Sequence, residues 1–269
     1  MATNETYVPI LNAPYLNANG CLVTNNATTP NTQLNIGAGL VRDQTNTYDM
    51  NLGNYNGFNP GLTPNTVTTL DATVVGANGI DTGTLAANKV YYVYVILQNT
   101  YQTATILSLN APSTGPIMPY NFLAYRHIGY AITDASSHFL AGYWSGDRNA
   151  RVFMYDAPQA TAITAGAATS YTNIDLTKWV PLVDNLQTWI YTAFTPGAAS
   201  RTLNLSPAGA VGNAIQVTGQ VTSIVVTSNS LVLAKNATIS SVLSPSIEYK
   251  VSNAGDAVAI SVAGFQYNI

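Results

Sequence analysis

Charged residues are scarce in this sequence. Asp, Glu, Lys and Arg make up 8% of its 269 residues, and the formal net charge is −3, whereas about 25% charged residues is usual in a globular protein. This composition, without any basic run, argues against nucleic acid or an anionic membrane surface as a partner. Because Lys on exposed strand edges normally prevents β-proteins from pairing edge to edge, it also predicts that other subunits cover the edges, in a homo-oligomer.

Cysteine is nearly absent as well. Cys21 is the only one, so an intrachain disulfide and a cysteine-rich metal site are both excluded. The N-terminal sequence has no basic segment followed by an apolar run, and nowhere do about 18 apolar residues follow one another. The sequence therefore predicts a protein made in a cytosol, without insertion into a membrane.

Carboxylates suited to catalysis are also few. The chain has two glutamates, Glu5 and Glu248, whereas a glycosidase needs two carboxyl groups about 5 to 10 Å apart. It has neither a Gly-x-Ser-x-Gly elbow nor a phosphate-binding Gly loop followed by Lys. These absences indicate that the protein is not an enzyme and needs no cofactor. The tightest charged cluster is interpreted as an ion-pair network at a domain junction: Asp147, Arg148, Arg151 and Asp156.

The pattern that is present is that of β-strands. Apolar residues alternate with polar ones, or form short runs between Gly, Pro, Asn and Asp. The run VYYVYVIL (90–97) is β-branched and aromatic throughout, which is typical of a strand buried on both faces. The segment TSNS (227–230) is predicted to turn between two strands, and PLVDNLQ (181–187) to form a short helix. The predicted fold class is all-β. Further strands are expected at 186–194, 221–228, 230–235, 246–252 and 257–267.

The sequence divides into three parts of different composition. Residues 1–30 alternate little and are rich in Asn, so they are predicted to form an extended arm that orders only against a partner. Residues 31–155 form a β-rich docking domain, with an extended loop at 51–65. Residues 156–269 offer about eight strands, the size of a β-sandwich or jelly roll.

Both histidines lie in the stretch YRHIGYAITDASSHFLAGYWSGDR (125–148). It predicts a β-hairpin whose first strand alternates between two faces and whose turn is TDASS. His127 and His138 then stand on opposite arms without facing each other. A metal site would need Asp134 or Asp147 as a third ligand. The histidines are therefore predicted to be packing or subunit-contact residues rather than metal ligands, with stability falling as the pH drops through about 6.

Tyrosine is abundant. The chain has 17 Tyr and 3 Trp against 6 Phe, and Tyr and Trp suit contact surfaces because a large apolar ring carries one polar group. Sugars are bound by such rings together with Asn, Asp and Gln. Tyr48, Tyr55 and Phe58 lie in Gly- and Asn-rich sequence with little else to bury, which makes them candidate contact residues.

Three stretches resemble structural proteins that tailed bacteriophages encode in their virion-protein gene clusters. In order, they are NTQLNIGAGLVRDQTNTYDM (31–50), GANGIDTGTLAANKVYYVYVIL (76–97) and YRHIGYAITDASSHFL (125–140). In that family the last stretch contains YRRIG, and here His127 replaces the second Arg. The likeness covers residues 30 to 155 and continues more weakly through 164–181.

The resemblance implies a virion component of the fibre or decoration type and supplies no catalytic residues. It places a cation, Arg126, on the edge of a hairpin beside His127, and together with His138 these are further candidate contact residues. Arg42 is expected to bond across to a neighbouring strand. The step DTG, which begins at Asp81, is expected to cap the entry to a strand.

The expected protein is therefore a surface component of a tailed-phage virion with a mechanical and adhesive function. Its partners would be other virion proteins of the capsid or tail and further copies of itself, forming a trimer by analogy with phage fibres. The N-terminal part would dock onto the particle, and the C-terminal sandwich would face outward. The alternative is a carbohydrate-binding module that recognises a glycan on the host surface.

Overall fold

The computed structural model describes residues 18–57, 63–147, 150–160, 163–183, 186–208, 215–219, 225–233 and 245–268. In these ranges the regular structure consists of β-strands and one short 3-10 helix, Tyr55–Gly57, so the predicted all-β class is confirmed. Within them, no helix has the length and apolar character needed to cross a membrane. The chain forms two compact units. The first runs to Leu140 and includes Ser145–Asn149, and the second holds Ala141–Trp144 and Ala150–Asn268.

The first unit contains short strands arranged in three groups. The groups run in the orders β1-β4-β5, β2-β3-β6 and β10-β8-β9-β7, and all pairs are antiparallel except β7 with β9. The strands are β1 (Ala18–Gly20), β2 (Val23–Asn25), β3 (Gln33–Ile36), β4 (Gly39–Arg42), β5 (Asp49–Leu52), β6 (Thr68–Asp71), β7 (Gly79–Ile80), β8 (Val90–Gln98), β9 (Thr103–Ser108) and β10 (Phe122–Ile132).

Strand β8 is at the centre of the first unit. It pairs with β10 on one side and with β9 on the other. Val93, Val95 and Leu97 are buried on one of its faces, and Tyr94 and Ile96 on the other. Burial on both faces, predicted from the β-branched and aromatic run, is therefore confirmed.

The second unit contains two antiparallel groups of four strands, β17-β14-β19-β12 and β13-β18-β15-β16. In β14 and in β18, alternate residues are buried, as in sheets that each turn one face to a core, and the fold is sandwich-like. Strand β11 (Gly142–Asp147) is divided between the units. The other strands are β12 (Ala150–Ala160), β13 (Thr172–Asp175), β14 (Leu186–Thr195), β15 (Arg201–Pro207), β16 (Ile215–Gly219), β17 (Val225–Leu233), β18 (Ser246–Val251) and β19 (Ala257–Asn268).

The whole of β12 belongs to the second unit, which places the division of the chain near residue 150, a few residues before the predicted start at residue 156. Two local predictions are wrong in this unit. Strand β17 continues through TSNS and pairs with β14 over its full length, because a continuous ladder of backbone hydrogen bonds outweighs the turn preference of Ser and Asn. Leu186 and Gln187 lie in β14 instead of a helix, and residues 184–185 lie outside the described residues.

The predicted N-terminal arm is too long. Strands begin at Ala18, where β1 pairs with β4, and β2 pairs with β3. Cys21 and Val23 are buried, so residues 18–25 belong to the core of the first unit. Strands of three residues are too short to show a periodic pattern in sequence, which is why they were missed. Residues 1–17 of the arm lie outside the described residues.

Two truncated chains show which N-terminal residues belong to the core of the first unit. Deletion of residues 2–28 removes β1 and β2 and is expected to destabilise the first unit by at least about 3 kcal/mol, through lost strand pairing and apolar burial. Deletion of residues 2–16 leaves every described strand in place and is expected to preserve the melting temperature. Thermal unfolding followed by circular dichroism measures both. Equal melting temperatures for the two truncated chains would contradict the assignment of residues 18–25 to the core.

Candidate contact surfaces

One carboxylate organises the turn at the end of the first motif stretch. Asp43, between β4 and β5, is 2% exposed. Its Oδ1 accepts hydrogen bonds from the backbone N–H groups of Thr47 and Tyr48, both at 2.6 Å. Its Oδ2 accepts them from the N–H of Thr45 at 3.0 Å and from the Thr45 hydroxyl. Burial alone would raise the pKa of Asp43, but these hydrogen bonds together hold it below its ordinary value.

Two arginines lie beside this turn. Arg42 Nη1 is 3.1 Å from Asp49 Oδ1, directly across the β4–β5 pair, so the predicted bond to a neighbouring strand is confirmed. The backbone N–H of Gln44 donates to a carbonyl of β10 at 2.9 Å, which brings the turn to Arg126. Burial lowers the pKa of Arg126, and the attraction of Asp43 opposes that shift. Asp43 in the turn and Arg126 near the start of β10 are therefore a pair of interacting opposite charges.

His127 is a packing residue of the first unit. It is 8% exposed, and its ring meets those of Tyr92, Tyr94 and Tyr130 edge-on, with centroids 5.5, 5.6 and 4.7 Å away. Its Nε2 is 2.8 Å from the Gly129 carbonyl oxygen. Because a carbonyl only accepts hydrogen bonds, Nε2 carries the proton. Of the two predicted roles, packing or subunit contact, the structure gives packing, and His127 has little surface left for a partner.

A β-bulge brings these rings to one face. Simple alternation along β10 would separate His127 from Tyr130, but the register against β8 shifts by one residue just after His127. His127 pairs with Tyr94, and Tyr130 pairs with Tyr92, two residues away on the same face of β8. One extra residue in a bulged strand reverses the alternation, so the predicted assignment of faces is wrong beyond His127.

The hairpin predicted at 125–148 is shorter than expected. Asp134 Oδ1 accepts the backbone N–H of Ser136 within TDASS and that of His138 directly after it, which confirms the turn. Beyond the turn one bridge joins Thr133 to Phe139, while β10 runs along β8 over its whole length. His138 is exposed, with Nδ1 3.9 Å from Asp134 Oδ2. It stays a candidate contact residue, but it is not a buried imidazole of the kind on which the predicted acid sensitivity depends.

The candidate tyrosines are held by their own backbone. Tyr48 and Tyr55 are both partly exposed. The N–H of Tyr48 bonds to Asp43, and that of Tyr55 donates to Asn51 Oδ1 at 2.7 Å. These bonds fix the backbone at both residues, and both stay candidate contact residues. The third candidate, Phe58, lies outside the described residues.

The DTG step ties two loops together. Asp81 follows β7, and its Oδ2 accepts the N–H of Ile117 at 3.0 Å. Asp81 therefore joins the end of β7 to the segment before β10. The motif predicted a cap at the entry to a strand, and this hydrogen bond does not cap β8.

The charged cluster predicted at a domain junction does not lie on one face. Arg151 is 2% exposed, and burial raises the pKa of Tyr267 on the paired strand, an effect that Arg151 opposes. Asp156 is exposed on the opposite side of β12. The side chains of Asp147 and Arg148 lie outside the described residues. In the part of the chain that is described, no three His, Cys, Asp or Glu side chains are grouped so that they could hold a metal ion.

Exposed apolar side chains surround the β8–β9 turn. Tyr120 is 89% exposed, Tyr101 63% and Leu123 46%. The N–H of Asn99 donates to the carbonyl of Asn121 at 2.8 Å, which joins the turn to the start of β10. Tyr101 has a φ of 62°, a left-handed conformation that bulky residues rarely adopt. The fold thus holds an exposed ring in a strained position, and strain of this kind is concentrated at functional sites.

We call these three residues, Tyr101, Tyr120 and Leu123, the Tyr101 surface. The sequence analysis did not identify it, because Tyr101 and Tyr120 lie outside the Gly- and Asn-rich sequence that contains the candidate residues Tyr48 and Tyr55. A signal was present, since no residue from 90 to 125 is charged although this segment contains turns. Aromatic residues in uncharged turns are suited to contact with another protein surface.

No protein-family model matches the chain, and no curated protein matches it. The likeness to phage virion proteins therefore stays a prediction based on the three stretches.

Proposed function

We propose that this protein is a structural component of a tailed-phage virion, exposed on the particle surface, with a mechanical and adhesive function. One observation carries the proposal: the three stretches that resemble phage virion proteins are joined within a single unit. The turn at Asp43 bonds to β10, and β10 pairs with β8. The Thr133 hydroxyl donates to the Ala86 carbonyl at 2.6 Å and accepts the N–H of Lys89 at 3.0 Å. The resemblance thus concerns one continuous scaffold.

The chemistry of the motif residues supports a structural function. Asp43 and Asp134 bond backbone N–H groups of their own turns, and Arg42 is paired with Asp49. His127 is enclosed by tyrosine rings. Side chains used in this way fix the shape of a scaffold, so the proposal includes neither a catalytic centre nor a cofactor.

The proposed assembly is a homo-oligomer, a trimer by the likeness to fibres, in contact with other virion proteins. The Tyr101 surface is the proposed contact between copies. It is apolar and aromatic, its backbone is fixed, and the surrounding segment carries no charge that would have to be desolvated. The first unit would dock onto the particle, and the second would face outward.

Replacing Tyr120 by Asp is expected to dissociate the oligomer, because a carboxylate would be buried without a partner in the contact between copies. Light scattering at micromolar concentration should give about three times 28.4 kDa for the unaltered chain and the monomer mass for the variant. The matched control is Tyr143→Asp, at a tyrosine 52% exposed in the second unit, which should stay oligomeric. An unaltered chain that is monomeric would contradict the proposed assembly.

The virion location is tested with particles of the phage that encodes the chain. Particles produced without this protein should regain it when the purified protein is added, and an antibody against the second unit should then label their surface. The Tyr120→Asp variant should be incorporated less. The proposal fails if the protein is abundant in lysates but absent from purified particles.

Recognition of a host glycan is a second candidate function, compatible with the first. It is favoured by Trp189 and Tyr191, two aromatic side chains that lie partly exposed on one face of the second unit. Rings presented in this way are suited to stacking on the C–H faces of sugars.

A further inference from the structure

Strand β14 has two chemically different faces. Leu186, Ile190 and Phe194 are fully buried on one face, whereas Trp189 is partly exposed and Tyr191 is 37% exposed on the other. β14 pairs with β17 on one side and with β19 on the other. The two rings therefore stand in the middle of a sheet, where a rigid backbone on both sides fixes their spacing.

The neighbours of these rings are polar but uncharged. Gln187 lies two residues before Trp189, on the same face of β14. On β19, Ser261 pairs with Tyr191 and Gln266 pairs with Gln187, and both are partly exposed. Neither β14 nor β19 contains a single charged residue. The face thus combines two aromatic rings with two amides and a hydroxyl.

We infer that this face, the Trp189–Tyr191 platform, binds an uncharged glycan. Side chains two residues apart in a strand are about 7 Å apart, so neighbouring sugar units of one chain can each lay their C–H face on a ring. The amides of Gln187 and Gln266 and the hydroxyl of Ser261 supply donors and acceptors for sugar hydroxyls. The inference deepens the adhesive function proposed above and rests on it.

The lack of charge decides the class of glycan. Carboxylate, sulfate or phosphate groups on a sugar would call for Arg or Lys, which form the strong charge-assisted hydrogen bonds with such anions. The strands that carry the platform offer neither. Neutral hexoses and N-acetylhexosamines match the platform, because their recognition needs ring faces and uncharged hydrogen-bonding groups.

The test uses the full-length protein on an array of neutral oligosaccharides, with sialylated and sulfated forms of the same cores as a second set. Titration calorimetry with the best neutral oligosaccharide then compares variants. Trp189→Ala and Tyr191→Ala are each expected to weaken binding about tenfold or more, which corresponds to about 1.4 kcal/mol. Tyr191→Phe keeps the ring and should stay within about threefold of the unaltered chain, about 0.6 kcal/mol. The control Tyr143→Ala, at a tyrosine 52% exposed on β11 and outside both the platform and the Tyr101 surface, should not change the affinity.

Three results would overturn the inference. The first is that no neutral oligosaccharide on the array binds, and the second is that both alanine variants keep the affinity of the unaltered chain. The third is that the alanine variants lose the oligomer, which would make the platform an interface between copies. Melting temperatures of the variants show whether each is folded. If the protein is found on particles but binds no glycan, only the inference about the platform is contradicted. If it binds a glycan but is absent from particles, the virion proposal is contradicted instead.

Discussion

Replacing Asp43 by Asn is expected to lower the free energy of unfolding of the first unit by about 3 kcal/mol. The carboxylate accepts hydrogen bonds at both oxygens from three backbone N–H groups and one hydroxyl. An amide has a single acceptor oxygen, so its NH₂ group would face the N–H of Thr45 or those of Thr47 and Tyr48. The variant also removes the negative charge that faces the half-buried Arg126. Chemical denaturation followed by tyrosine and tryptophan fluorescence measures the change.

A matched control is available in the same unit. Asp134 also caps a turn, but one oxygen, Oδ1, accepts both N–H groups, at 2.8 and 2.9 Å, and its side chain is 37% exposed. Because an amide oxygen can replace this acceptor, Asp134→Asn is expected to change stability by no more than about 0.5 kcal/mol. Equal losses in the two variants would contradict the special role assigned to Asp43.

The Asp43→Asn variant, compared with the unaltered chain, also tests how stability depends on pH. The pKa of Asp43 in the folded protein lies below its ordinary value, and the value in unfolded chains is about 3.9. A group with a lowered folded pKa contributes its full stabilisation above the unfolded pKa, and this contribution is lost as the pH falls through the folded pKa. The unaltered chain should therefore lose stability below about pH 4 more steeply than the Asn variant. If the stability of the two chains decreased equally as the pH is lowered, Asp43 would not be the source of the acid sensitivity.

Replacing His127 by Ala is expected to cost about 3 kcal/mol, as the removal of a buried ring from a packed core does. Three tyrosine rings would lose their common neighbour, and a cavity would open between β8 and β10. His138→Ala, at an exposed site, should stay within about 0.5 kcal/mol. Denaturant unfolding of both variants provides the comparison.

A chelator gives the second part of this test. If His127 packs rather than binds a metal, addition of a chelator should leave the melting temperature of the unaltered chain unchanged. A large decrease that zinc restores would show that the two histidines take part in a metal site.

The sequence predicted those parts of the fold that depend on local pattern. The all-β class, the double burial of β8 and the turn at Asp134 follow from residue types that are adjacent in the chain. The continuity of β17 and the strands β1 and β2 do not, because each is decided by a partner strand distant in sequence. The arrangement of the tyrosines around His127 depends on a single bulged residue, Ile128, which alternation cannot reveal.

The candidate contact residues show the same limit. Exposure of Tyr120 and Tyr101 depends on how the β8–β9 turn meets the start of β10, and no local pattern states that geometry. Trp189 and Tyr191 were within reach, since LQTWIYTAF places them on one face and Ile190 on the other. The alternation does not show which of the two faces is exposed, because that depends on how the strand packs in the second unit.

The most direct test of the proposed function is a cryo-electron-microscopy reconstruction of the intact tailed-phage particle to which the proposal assigns this chain. The proposal predicts surface density that fits both units, with copies arranged around a common axis, the Tyr101 surface between copies and the second unit outermost. A complete map in which every surface feature is accounted for by other proteins would contradict it.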